Sequence, residues 1–186
     1  MSVSLRQIHD THWTRHMNAH DTLVWGLLQT VADKDDPINI RPAYQRPSVW
    51  TIEQKERFLG HFLKLGRHPA FVIQRGSVGE ASEVVDGQQR LLALAAFFRG
   101  DVGANVDGQQ VRYADLDEVD QRLARQTLVS VIWVNLPWKR RCELYVDLNS
   151  AGTPHTEADL EVAHRAAADG PAPDDLPLYL DLGGAR

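Results

Sequence analysis

The chain has 186 residues, 43% of them hydrophobic, and its 20 lysines and arginines against 25 aspartates and glutamates leave a net charge of -5. That length supports one domain with a sizeable core, and the acidic balance argues against a surface built to coat nucleic acid. A single cysteine, Cys142, excludes a disulfide framework and fits a reducing compartment; with no leader peptide and no apolar run of membrane-spanning length, the sequence predicts a cytoplasmic protein without a membrane partner.

The first stretch is polar and carries His9, His12, His16 and His20, which would share one face of a helix. No carboxylate or cysteine pattern completes a metal site around them, and they read as ordinary exposed residues. Asp21 reads as the N-cap of a short helix over 23–31 that ends before the charged loop 33–37. Residues 1–37 are thus a polar and helical lead-in. Ile38 to Ile40 reads as a short strand delivering the chain into Arg41-Pro-Ala-Tyr-Gln-Arg-Pro-Ser-Val-Trp50. Pro42 and Pro47 fix φ and forbid a helix, so Arg41, Tyr44, Gln45, Arg46 and Trp50 are held on a rigid loop. Arginines with aromatic neighbours can grip a phosphate and stack on a base. Equally, Tyr44 and Trp50 can wedge the loop into the core while the arginines pair with surface acids.

Thr51 caps the next helix, in which Phe58, Leu59, Phe62, Leu63 and Leu65 form an apolar stripe before Gly66 ends it; His61 and His68 look incidental. Residues 69–74 and 83–86 read as two strands of an antiparallel hairpin around the loop 75–79. The second strand meets Asp86-Gly-Gln-Gln-Arg90 and then the apolar run 91–98, a strand, a tight turn and a buried helix. Such a junction presents unpaired N–H groups at the positive end of a helix dipole, where an anion is held naturally. Gly87 would let a ligand approach the backbone. Arg90, in the first helical turn, is misplaced for the dipole unless something negative stands in front of it. Asp86 either caps this helix or holds a divalent metal, and Gln88 and Gln89 add donors without charge. The plain alternative is a capped turn with a solvated arginine.

Val106-Asp-Gly-Gln-Gln110 echoes the earlier turn but continues in strand pattern, so Asp107-Gly108 reads as a type I′ hairpin turn. Asp115 and Glu118 suggest a capping box for a helix whose Leu116, Val119 and Leu123 face inward. Residues 128–134 are the strongest buried-strand candidate. Residues 138–148 read as a helix opening on the basic run Lys139 to Arg141, taken as a solvated face. The turn Asn149 to Pro154 follows, then a helix over 157–168 opened by Thr156, and from Gly170 a proline-broken tail.

Taken together, Tyr44-Gln-Arg-Pro-Ser-Val-Trp50, Asp86-Gly-Gln-Gln-Arg90 and Leu148-Asn-Ser-Ala-Gly-Thr-Pro154 resemble the ParB/sulfiredoxin-like superfamily. Within it they are similar to the branch found at the N-terminus of GmrSD-type modification-dependent restriction proteins. The resemblance spans residues 38–165, and the DGQQR sequence after a strand is its most specific part. It implies an α/β (α+β) fold, a small mixed sheet flanked by helices, over 38–169, with 170–186 as a tail.

The resemblance also implies a nucleotide site. Asp86, Gly87, Gln88, Gln89 and Arg90 would receive the phosphates, Tyr44, Gln45 and Arg46 would form a second wall, and Asn149 would be a supporting polar group. Members of the branch are linked to NTP hydrolysis in anti-phage defence, so phosphoryl transfer to water is the expected reaction, with an NTP and Mg²⁺ as cofactors. Asp86, Gln89, Arg90 and Arg46 would be the catalytic set: the arginines stabilising the transferring phosphoryl group, Asp86 holding Mg²⁺ or orienting the attacking group. Two rivals stay open: a kinase acting on a hydroxyl of a small molecule or modified base, and a non-catalytic module that recognises modified DNA or regulates a separately encoded nuclease.

The departures are informative. GmrSD-type proteins continue into a helical region and a histidine-containing nuclease domain, neither of which lies in these residues, so a nuclease activity of its own is not expected. Sulfiredoxin chemistry needs a cysteine where this chain has glutamines, and no helix-turn-helix supports a partition clamp. Plain duplex DNA should bind weakly.

Overall fold

The β-branched runs of the sequence become strands of one mixed sheet. A computed structural model describes residues 17–45, 50–64, 68–77, 80–150, 157–170 and 178–183, with backbone alone for 150 and 157–160. In chain order the elements are β1 (Met17–Leu23), α1 (Val24–Val31), α2 (Ile52–Leu63), β2 (Phe71–Gln74), β3 (Glu83–Asp86), α3 (Gln88–Arg99), β4 (Ala104–Val106), β5 (Gln109–Val111), a 3-10 turn (Tyr113–Asp115), α4 (Glu118–Gln126), β6 (Leu128–Val134), α5 (Trp138–Ser150) and α6 (Glu157–Asp169).

The main sheet has the order β1-β6-β2-β3, and β4 with β5 makes a separate hairpin. β1 runs antiparallel to β6, β6 parallel to β2, and β2 antiparallel to β3. The α+β class with a mixed sheet flanked by helices is therefore borne out. Successive residues of a strand face opposite sides. Phe71, Ile73 and Val84 join α1, α2 and α3 in one apolar cluster, whereas Val72, Val85 and Val134 join α5 and α6 in another. Helices thus cover both faces. Helix α3 is the centre of the larger cluster, with Leu91, Ala93, Leu94, Ala95 and Phe97 wholly buried; each buried leucine or phenylalanine contributes about 1.5–3 kcal/mol.

Several local expectations hold. Thr51 caps α2 in a reciprocal capping box with Gln54. Asp107 and Gly108 both take positive φ, 52° and 86°, as a type I′ turn requires. Asn39 forms an isolated parallel bridge to Glu83 where a short strand was expected.

Others are corrected. Asp21 lies inside β1 and accepts a hydrogen bond from Ser130, so it caps nothing; α1 begins at Val24 with no side-chain cap. His20 lies in the same edge strand, which removes it from any helical face, and His9, His12 and His16 lie outside the described residues. Pairing with the well-formed β6 overrides the weak helical pattern of this segment. Helix α4 is capped by Asp117, not Asp115, and Val119 and Leu123 are 62% and 58% exposed; the 3-10 turn takes up Asp115, and Glu118 is already the first residue of the helix. Residues 17–31 supply an edge strand and a fully engaged core helix, joining the lead-in to the sheet. Gly66, Thr156, the turn residues 151–154 and the tail residues 171–177 lie outside the described residues. None of the described helices is long and apolar enough to cross a membrane.

Candidate functional site

β3 ends at Asp86, and the chain turns at Gly87 straight into α3. Gly87 has φ 106°, in the left-handed region, and a Cβ there would stand 2.4 Å from Phe71 Cδ1. Both facts demand glycine. Gly87 is itself the N-cap and no side chain caps the helix, so Asp86 does not serve that role. The first-turn N–H groups keep the partial positive charge of a helix start.

The anion in front of Arg90 is Asp86. Arg90 Nη2 donates to Asp86 Oδ2 at 2.8 Å and to the Ala70 carbonyl at 3.2 Å, while Nη1 donates to the Pro69 carbonyl. The guanidinium also lies 4.7 Å from the centre of the Phe71 ring. Burial pulls its pKa below the usual arginine range and Asp86 pulls it back up; it stays charged. Arg90 as folded therefore ties the end of β3 to the residues leading into β2.

Gln88 and Gln89 form a directional relay. The Trp50 N–H donates to Gln89 Oε1 at 3.2 Å, and Gln89 Nε2 donates to Gln88 Oε1 at 2.9 Å. Because a backbone N–H can only donate, the amide orientations follow from it. Gln88 Nε2 is left buried at the start of α3 with no acceptor among the described residues, in a residue 6% exposed. An unsatisfied buried donor costs about 1–3 kcal/mol, so this atom calls for an acceptor.

The Tyr44–Trp50 loop meets β3 at one described end and the start of α3 at the other. Gln45 Nε2 donates to the carbonyls of Val84 and Val85, at 2.5 and 2.8 Å, which shields the outer edge of β3. Trp50 holds Gln89 from the other end. Arg46, between them, lies outside the described residues. Tyr44 is fully buried, packed at 5.4 Å against the rings of Trp138 and Tyr145, and its hydroxyl donates to Glu83 Oε1 at 2.8 Å. It offers no free face to a base. Burial, then Glu83, raises its pKa well above the usual tyrosine value. Asn149 is the penultimate residue of α5 rather than part of a turn, and its Nδ2 donates to the Tyr145 carbonyl at 2.7 Å.

Two residues of this region were not singled out in the sequence. Glu83 is 7% exposed and accepts from both Tyr44 and Arg141 Nη1, the latter at 3.2 Å. Burial raises its pKa against the lowering effect of those donors. Arg141 is likewise buried, not part of a solvated face; it also donates to the Leu136 carbonyl and to Glu80. Burial alone would lower its pKa, but Glu83 and Glu80 hold it above the usual value. The nearest sequence signal was a glutamate directly preceding the two buried valines of β3.

Asp86 fits a metal poorly. Its carboxylate is already paired with a fixed guanidinium, whereas Mg²⁺ wants carboxylate, phosphate and water oxygens in octahedral array. Among the described residues no group of three His, Cys, Asp or Glu side chains is placed to hold an ion. A groove of about 1150 Å³ lies elsewhere, lined by His68, Val106, Leu116, Leu123 and Leu128 among others, and the turn does not line it.

Residues 26–165 match the family model described as "GmrSD restriction endonuclease, N-terminal domain", well over half of the chain. The GmrSD-type part of the resemblance read from the sequence is thereby borne out. No curated protein and no solved structure matches the chain.

Proposed function

The chain belongs to the family of GmrSD restriction endonuclease N-terminal domains, and from that membership we propose that it binds a nucleoside triphosphate at the Asp86–Arg90 turn and hydrolyses it in a restriction or anti-phage setting. The observation that carries the reading is the relay ending at Gln88 Nε2. An oriented, buried donor with no acceptor among the described residues stands beside the uncapped N–H groups of α3, where a phosphate oxygen is favoured.

In this reading the backbone of Gln88 and Gln89 and the two side-chain amides cradle the phosphates. Gly87 supplies the left-handed turn, packed on Phe71, from which α3 starts. Arg90 holds the shape of the turn through Asp86, a change from the direct grip that the resemblance implied. The positive charge at the transferring phosphoryl group is assigned to Arg46, which follows Gln45 in the chain. Mg²⁺ would arrive as part of the triphosphate substrate.

A second reading is favoured by the Asp86–Arg90 pair. The two charged residues of the turn neutralise one another, which suits a recognition or regulatory module for a separate nuclease as well as an enzyme. Phosphate release from each of the four NTPs with Mg²⁺ separates the two: turnover supports the enzyme, and nucleotide binding without release supports the module.

A further inference from the structure

We propose that Glu83 is the positioning residue of the nucleotide site, locking Tyr44 and Gln45 against β3, the strand that ends at the Asp86–Arg90 turn, and coupling them to helix α5. The role within a nucleotide site rests on the reading above. The locking itself rests on geometry alone.

One carboxylate oxygen, Glu83 Oε1, receives both the Tyr44 hydroxyl at 2.8 Å and Arg141 Nη1 at 3.2 Å. Tyr44 belongs to the loop, Glu83 to β3 and Arg141 to α5, so three separate segments meet at one atom. A neutral glutamine or an apolar side chain of similar size could not accept two such donors with full charge. Assembling a buried carboxylate and guanidinium costs desolvation that a hydrophobic cluster would avoid, and fixing one arrangement among several is the best-attested use of such a pair. Here the arrangement fixed is the loop. With Tyr44 anchored, Gln45 falls on the Val84 and Val85 carbonyls, immediately before the turn that begins at Asp86. Arg141 is braced in turn by the Leu136 carbonyl at 3.0 Å, by Glu80 at 3.2 Å and by the Trp138 ring. The brace cannot follow a displaced loop.

Hydrogen exchange of the full chain tests this, read on peptides covering residues 38–45, with Tyr44→Phe and Glu83→Gln as variants. Tyr44→Phe keeps the ring in its aromatic packing and removes the hydroxyl, so it remains informative if Glu83→Gln fails to fold. The Gln45 amide, which donates to the Pro42 carbonyl at 2.8 Å, should exchange at least about tenfold faster in Tyr44→Phe, while α3 and β6 keep the parent rates. Unchanged exchange over 38–45 overturns the proposal. So does an equal acceleration in α3 and β6, which would make Tyr44 and Glu83 ordinary core residues. The kinetic arm is separate: if the parent turns over MgATP, MgGTP, MgCTP or MgUTP, kcat/KM should fall at least tenfold in Tyr44→Phe. Absence of turnover by the parent refutes the proposed function and leaves the exchange test to decide the locking role.

Discussion

Arg90 reaches back one helical turn to Asp86, with Nη2 2.8 Å from Oδ2, and the guanidinium rests on the face of Phe71. A cation in the first turn of a helix is thereby explained by an acid four residues earlier.

Removing Arg90 should therefore harm the apo protein. Truncation leaves Asp86 and two carbonyls without their donor, and breaking a largely buried pair costs about 3 kcal/mol. Urea denaturation of Arg90→Ala against the parent measures it. A loss below about 0.5 kcal/mol, the scale of an ordinary surface substitution, would show that the pair does not hold the turn.

The two Asp-Gly turns should respond differently to the same change. Gly87→Ala meets both a left-handed backbone and the Phe71 ring 2.4 Å away, whereas Gly108→Ala, at φ 86°, meets nothing within 4 Å. Gly108→Ala should cost about 1 kcal/mol of backbone strain, and Gly87→Ala at least about 2 kcal/mol more. Comparable melting temperatures for the two variants would contradict the close packing at Gly87.

What was legible in the sequence follows the range of the interactions. The turn at Gly87 could be read because a β-branched run and an apolar run flank it within a few residues. The partners of Arg90 could not, since Pro69 and Ala70 lie about twenty residues away and meet it only when β2 pairs with β3. Arg141 was read as solvated because it follows Lys139 and Arg140, yet helix α5 turns it inward onto Glu83 while those two stay exposed. Tyr44 could equally have been a stacking wall or a wedge, and the wedge is what the rings of Trp138 and Tyr145 enforce. Asp21 looked like a cap because caps are local signals; the long-range pairing of β1 with β6 prevails there.

Acid should weaken the fold through His68. Its ring stacks on Phe62 at 5.6 Å, and burial first, then His61 and Arg90, lower its pKa to about 4 from 6.5. The unfolded chain then binds the proton more readily, so this contribution is intact above about pH 6.5 and lost as pH falls toward about 4. Denaturant midpoints at pH 7 and pH 5 should differ by less in His68→Phe than in the parent. An equal drop in both would assign the acid sensitivity to other groups.

Plain duplex DNA should bind with a Kd at or above about 10⁻⁵ M near physiological salt. Of the basic run 139–141, Arg141 is buried and Arg140 pairs with Glu143 at 2.7 Å, which leaves little clustered charge to displace counterions. Gel shifts at two salt concentrations check it. Tight binding with a steep salt dependence would contradict this reading.

The relay itself distinguishes the turn at 86–90 from its echo at 106–110, where Gln109 and Gln110 sit exposed on a hairpin strand with no helix start. Phosphate release by the parent, by Gln88→Ala/Gln89→Ala and by Gln109→Ala/Gln110→Ala is the measurement that bears most directly on the central claim. The parent should release phosphate from at least one MgNTP, the first double variant should lose roughly 100-fold or more in rate, as expected when placed donors are removed from a developing charge, and the second should match the parent. No release by the parent from any NTP, or equal rates in the parent and a folded Gln88→Ala/Gln89→Ala, would contradict the account.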